Sequence, residues 1–128
     1  MNIHKNWSYA EVSTWGMSVK SAYVAAKHGV VRLTKTVALE TAAEAITVNA
    51  ICPGYTLTPL LEDQLPATMQ RYEMSRQEVI EKVILARQPS GAFITSEQLA
   101  GTCQFLCSPA ADQITGTTIH IDGGWTAQ

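Results

Sequence analysis

Between residues 18 and 43, small and apolar positions recur at steps of three and four: Ala22, Ala26, Gly29, Val30, Leu33 and Val37. That period predicts a helix. The stripe is small at its N-terminal end, which predicts close packing of Gly29 and its neighbours against another helix, one from a second subunit included. "ITVNAIC", residues 46–52, is apolar and β-branched at nearly every position. It predicts a strand buried on both faces, as in a parallel sheet, and Pro53-Gly54 stops it. Residues 55–74 contain Pro59 and Pro66 and read as a long connection, of the kind that forms a lid. The lid region extends to about residue 90. Two capping boxes follow, Ser75-x-x-Glu78 and Thr95-x-x-Gln98. They predict one helix running to about Gln88, before Pro89, and another running to about Cys107. "TTIHI", residues 117–121, is a final strand, ended by Asp122-Gly123-Gly124. Residues 1–17 show neither period, although "MNI" suits the end of a strand. The order helix, strand, lid and helix, helix, strand predicts one α/β domain over residues 1–128 with a parallel sheet and flanking helices.

Composition supports a globular chain. Of its 128 residues 46% are hydrophobic and 16% charged, with a net charge of −2. No basic run suggests a nucleic-acid or anionic-membrane face, and no apolar run reaches the ~18 residues of a membrane span. The start, "MNIHKNWSYAEV", lacks the apolar segment of a secretion signal. Three cysteines, Cys52, Cys103 and Cys107, form no disulfide framework, which favours a reducing compartment, the cytoplasm. No metal site is expected, because neither the cysteines nor His4 and His120 have partners at metal-ligand spacing.

The candidate chemistry begins with Tyr23 and Lys27. A spacing of four puts both on one helix face. A free tyrosine, with a pKa near ~10, is a poor acid or base at neutral pH. A neighbouring ammonium favours the phenolate and makes proton transfer to a substrate oxygen feasible. The spacing is common by chance and carries little by itself.

The surrounding stretches carry more. "SAYVAAKHGVVRLTKTVALE", "ITVNAICPGYTLTPL" and "ITGTTIHIDGGW", in this order, resemble the C-terminal half of a short-chain dehydrogenase/reductase. The resemblance covers about residues 18–128 and implies part of a doubly wound, Rossmann-like sheet without its N-terminal glycine-loop half. It implies that Tyr23 protonates a ketone oxygen during reduction. Lys27 would assist Tyr23 and hold the nicotinamide ribose hydroxyls. Pro53 and Gly54 would end the strand beneath the nicotinamide. Tyr55 and Leu57 would offer backbone groups to its carboxamide, and Thr58 its hydroxyl. Lys20, Gln64 and Trp125 match substrate-pocket positions of members that interconvert a short 3-hydroxy acid and its 3-oxo acid with NAD. Read singly, these three are an exposed lysine, a loop glutamine and a surface aromatic. Together they argue against a 3-oxoacyl carrier-protein reductase or a sugar-alcohol enzyme. A homo-oligomer is expected, since the intact family is commonly tetrameric. His28 and Asp122 read as structural.

The pattern also departs from the family. The phosphate-cradling G-x-G-x-x-G turn is missing, and with it the residue that selects NAD or NADP. The family's serine lies about thirteen residues before its tyrosine, where this chain has Ala10. Ser8 and Ser13 are out of register, and Val12 stands where a histidine is expected. Residues 1–17 are thus divergent. The chain reads as the C-terminal portion of a longer or rearranged protein, weakly active or inactive alone. The alternative is a non-catalytic remnant of the fold that relies on self-association.

Overall fold

A computed structural model describes residues 6–9, by their backbone, and 21–128. Lys20, Ala10, Val12 and Ser13 lie outside the described residues, as does the strand end expected at residues 1–3. Three parallel strands form the sheet in the order β1 (Asn6–Tyr9), β2 (Val48–Pro53), β3 (Thr118–Ile121). Asn6 pairs with Val48, and Ala50 with Thr118. β1 falls within a stretch that shows no strand period, so it is an addition to the sequence reading. In "NWSY" the aromatic Trp7 and Tyr9 alternate with Asn6 and Ser8, but over only four residues; pairing with β2 makes it a strand. The central β2 is buried at every residue, as its apolar run predicts. The edge strand β3 is only half covered.

Helix α1 (Ser21–Glu40) crosses one face of the sheet from β1 to β2. Val30 and Val31 pack on Ala50 and Cys52. Successive strand residues point to opposite faces, so Ile51 turns to the other side, where it meets Leu106 of α4 (Ser96–Leu106) and Ala111.

The inward face of α1 differs from the predicted stripe. Thr34 and Ala38 are its buried residues, whereas Ala22, Ala26 and Gly29 are exposed and Leu33 is 59% exposed. A Cβ on Gly29 would meet nothing within 4 Å, so the close packing expected there has no counterpart among the described residues. The sheet selects the bulkier Val30–Val31 shoulder, since alanine and glycine bury little apolar area. Thr34 tolerates burial because its hydroxyl donates to the Val30 carbonyl at 2.9 Å.

The expected 55–74 connection is corrected too. It contains α2 (Pro59–Tyr72), started by Thr58, whose Oγ1 accepts from Leu61 N, and by Pro59 in the first turn. Proline suits that position because the N–H it lacks would be unpaired there. Pro66 lies inside the helix and forfeits one backbone bond. The helix persists because Leu61, Leu65 and Met69 recur every four residues and pack with Val79, Ile84 and Leu85.

Both capping boxes form. The helix after Ser75 is irregular: α3 (Arg76–Val79) widens into a π-helical turn, Ile80–Ile84, then tightens into a 3-10 turn, Leu85–Arg87. The widened turn brings Ile84 and Leu85 to the same core as Val79. Among the described residues, no helix is long and apolar enough to cross a membrane.

Candidate functional site

In a parallel sheet all strands end at one edge, and β2 and β3 leave it side by side. Pro53 is in register with Ile121, and the Gly54 N–H donates to the Ile121 carbonyl at 2.9 Å. Glycine is required at this exit. A Cβ on Gly54 would stand 3.0 Å from the Asp122 Cα and 3.2 Å from the Gln88 Cδ. Gly123 and Gly124, in the turn after β3, have φ of 58° and 90°, conformations other residues rarely adopt.

α1 runs antiparallel to the strands. Its C-terminal half lies by the start of β3, where Lys35 Nζ donates to the Gly116 carbonyl at 3.1 Å. Its first turns, with Tyr23 and Lys27, therefore stand at the end where β2 and β3 terminate. Strand C-terminal ends are the usual ligand-binding edge of open α/β sheets. Lys27 Nζ lies 5.4 Å from the centroid of the Tyr23 ring, and Tyr23 is 37% exposed. An ammonium and a phenol side by side at such an edge are chemically able to pass a proton to a ligand oxygen. His28 turns away: its Nδ1 pairs with the Val24 carbonyl at 2.9 Å and its ring is exposed.

Pro53 and Gly54 are buried, and Leu57 and Thr58 are exposed. Thr58 Oγ1 accepts the Leu61 N–H at 3.3 Å, which leaves its own proton to donate. The backbone of Tyr55 is already engaged, since its N–H donates to Gln88 Oε1 at 3.0 Å and its carbonyl accepts from Ile94 N at 2.8 Å. Gln64 lies on the exposed side of α2 rather than in a loop. Trp125 begins a single 3-10 turn, Trp125–Ala127, and its ring stacks on Tyr55, with centroids 5.4 Å apart and planes at 19°.

Asp122 organises that turn. Its Oδ1 accepts from Gly124 N at 3.0 Å, and its Oδ2 from Thr126 N at 3.0 Å and Thr126 Oγ1 at 2.6 Å. Burial raises its pKa, but the bonds from Thr126 and Gly124 and the nearby His120 outweigh burial and hold the carboxyl below its ordinary value. Burial, then the Asp122 charge, pushes the Cys52 thiol up to about 11. Cys52, Cys103 and Cys107 are all free thiols.

Two buried polar residues escaped the sequence reading. Asn49, inside β2, donates to the Ile114 carbonyl at 2.7 Å and accepts from Thr117 N at 3.2 Å. Gln88, 2% exposed, binds backbone on two segments. The signal for Asn49 was a lone amide in an apolar strand, since buried polar groups find partners. Gln88 gave none, because its partners are not periodic neighbours. A cleft of about 780 Å³ opens between α4 and β3, lined by Gly101, Thr102, Phe105 and His120 among others, and none of the predicted site residues among the described ones borders it.

The donor set at the strand ends suits the nicotinamide-ribose part of a dinucleotide: a phenol, an ammonium and a free hydroxyl proton. Nothing in the 128 residues supplies the glycine turn for its pyrophosphate. Residues 6–126 match the family described as Enoyl-(Acyl carrier protein) reductase. The chain is 55% identical over 109 residues to the D-beta-hydroxybutyrate dehydrogenase of Rhizobium meliloti and 49% identical over 109 residues to that of Cupriavidus necator. In both cases the match covers 85% of this chain and 42% of the relative. A crystal structure of a putative 2-deoxy-d-gluconate 3-dehydrogenase from Agrobacterium tumefaciens with bound NADP superposes with a TM-score of 0.78 at 43% identity, covering 97% of this chain and 47% of that one. The chain thus spans less than half the length of these relatives. The family match over residues 6–126 shows that the chain belongs to the short-chain dehydrogenase/reductase family.

Proposed function

We propose that this chain carries the acid/base and substrate-facing half of an NAD-dependent oxidoreductase that interconverts D-3-hydroxybutyrate and acetoacetate. The observation that carries it is the Lys27 ammonium, 5.4 Å from the Tyr23 ring, at the end of the sheet where β2 and β3 terminate. The names of the two D-beta-hydroxybutyrate dehydrogenases support the substrate.

In the reductive direction the Tyr23 hydroxyl gives its proton to the ketone oxygen, and in the oxidative direction the phenolate takes it back. Lys27 stabilises that phenolate and binds the ribose hydroxyls of the cofactor. The nicotinamide group, when bound, supplies or accepts the hydride at the substrate carbon. Pro53 and Gly54 form the floor beneath it. The backbone of Tyr55 and Leu57 and the Thr58 hydroxyl would hold its carboxamide side. Lys20 and Gln64 pair the substrate carboxylate, because a desolvated anion needs donors, and Trp125 closes the pocket. The protein works as a homo-oligomer in a reducing, cytoplasmic setting, with the exposed Ala22, Ala26 and Leu33 face of α1 free to meet another copy.

The test joins this chain to the N-terminal portion of the Rhizobium meliloti relative, the part of that protein the match leaves uncovered. NADH consumption is followed with acetoacetate. The joined protein turns over, Tyr23→Phe lowers kcat by about 10²-fold or more, and Lys20→Ala raises KM. A joined protein that binds NADH yet leaves acetoacetate unreduced refutes the substrate. Undiminished turnover in Tyr23→Phe refutes the role of that residue. The chain alone turns over little, for want of a pyrophosphate cradle.

A further inference from the structure

A glutamine at 2% exposure is unusual unless its amide is fully used. Gln88 uses both ends. Its Oε1 accepts the Tyr55 N–H at 3.0 Å, and its Nε2 donates to the Ala92 carbonyl. Its backbone is bound as well, to the Leu85 carbonyl at 2.9 Å and from Gly91 N at 2.8 Å. The side chain threads between the ends of β2 and β3, through space that two glycines leave open. A Cβ on Gly123 would stand 2.8 Å from the Gln88 Cγ, and a Cβ on Gly54 would overlap its carboxamide oxygen. Two residues on, Ser90 N donates to the Gly123 carbonyl at 3.0 Å. One carboxamide thus sits below both the strand exit that bears Tyr55 and the turn that bears Trp125. Those two rings stack on each other, and Tyr55 also packs on the core of the α2–α3 layer. A residue that only filled this space would be apolar. Gln88 spends its polar atoms on the backbone of the residue that carries one ring of the pair.

We propose that Gln88 is a positioning residue: by holding the Tyr55 backbone it sets the orientation of the Tyr55–Trp125 pair, and through that pair the aromatic wall of the substrate pocket. The part concerning substrate rests on the function proposed above. The tie itself does not, and is measured separately.

The full 128-residue chain is compared with Gln88→Ala and Gln88→Glu. Amide exchange of Tyr55 is read by NMR and the aromatic pair by near-ultraviolet circular dichroism. In Gln88→Ala, exchange at Tyr55 quickens roughly fivefold to tenfold while Ile51 and Cys52 in β2 keep their protection, and the near-ultraviolet band weakens. Gln88→Glu behaves like Gln88→Ala at pH 7.5, because a carboxylate oxygen set against the Ala92 carbonyl oxygen has nothing to donate and is repelled, so the buried charge leaves the slot for water and releases the Tyr55 N–H. Near pH 5 it regains protection at Tyr55, because burial raises that carboxyl and the neutral acid both donates and accepts. Asp122, held below its ordinary value, stays ionised there. A packing role predicts no such recovery.

Unchanged Tyr55 exchange, or an unchanged aromatic band, in Gln88→Ala overturns the inference. So does the absence of recovery in Gln88→Glu. Titration with acetoacetate, followed on the Trp125 indole resonance, separates the second claim. A response in the wild-type chain that weakens several-fold in Gln88→Ala supports the wall. A response equal in both overturns the wall. No response in the wild-type chain counts against the substrate proposed above, and the exchange data still decide the tie.

Discussion

Replacing Asp122 with asparagine removes a charge and one acceptor from the turn that carries Trp125. The carboxylate accepts three bonds, from Gly124 N, Thr126 N and Thr126 Oγ1, and its side chain is 11% exposed. Asparagine keeps one acceptor oxygen and turns an NH₂ toward a donor it cannot satisfy. A hydrogen bond to a charged group contributes about 1.5–3 kcal/mol. At least one such bond is lost, and the freed N–H groups near the chain end regain water, so the turn loosens by about 2 kcal/mol. The loss is local. The near-ultraviolet band of the stacked Tyr55–Trp125 pair falls, while far-ultraviolet dichroism and the denaturation slope hold. The pH dependence follows the same carboxyl. Its folded value lies below its ordinary one, so its stabilisation is complete above the unfolded value near ~3.9 and is lost as pH falls through the folded value. The wild-type band is therefore flat from pH 7 to 5 and starts to fall only below the unfolded carboxyl value near ~3.9, whereas Asp122→Asn shows the weak band throughout. A full band in Asp122→Asn at pH 7, or an acid limb that survives the substitution, refutes the role of Asp122.

Other substitutions probe separate contacts. Gly54→Ala forces a methyl between Gln88 and the Asp122 backbone and costs about 1–3 kcal/mol in chemical denaturation, as overpacking does. Leu106→Ala opens a cavity under Ile51 and Ala111, where Leu106 is fully buried, and costs about 2–5 kcal/mol by the same measurement. Thr95→Ala removes the side chain that accepts the Gln98 N–H at 3.2 Å and lowers stability by about 1 kcal/mol. In timed alkylation at pH 8, exposed Cys107 reacts first. Cys52 stays unmodified until the protein unfolds, because it is 1% exposed and its thiol is pushed up to about 11.

Local signals were legible. The apolar run of β2, the capping boxes at Ser75 and Thr95, the glycine exits at Gly54 and Gly123, and the four-residue spacing of Tyr23 and Lys27 all act between near neighbours in the chain. α2 was misread because two prolines suggested a connection. Thr58 followed by Pro59 is a helix start, and one interior proline costs less than burying Leu61, Leu65 and Met69 returns. The four-residue rhythm of those apolar residues was the better guide.

What the sequence determined by itself was β2, β3, the capped helix starts at Ser75 and Thr95 and the shared face of Tyr23 and Lys27 on α1, because hydrogen bonds and side-chain faces within a turn or strand depend on residues a few positions apart. The tertiary structure decided which face of α1 meets the sheet, that Asn6–Tyr9 pairs as a strand, and how the strand ends are joined. Gln88 reaches back 33 residues to Tyr55, and Asn49 reaches forward 65 to Ile114. No periodicity links residues that far apart. Only the packed sheet brings the Gln88 carboxamide, the two glycine exits and the Tyr55–Trp125 pair to one place, because burial leaves each of those polar groups a single partner within reach.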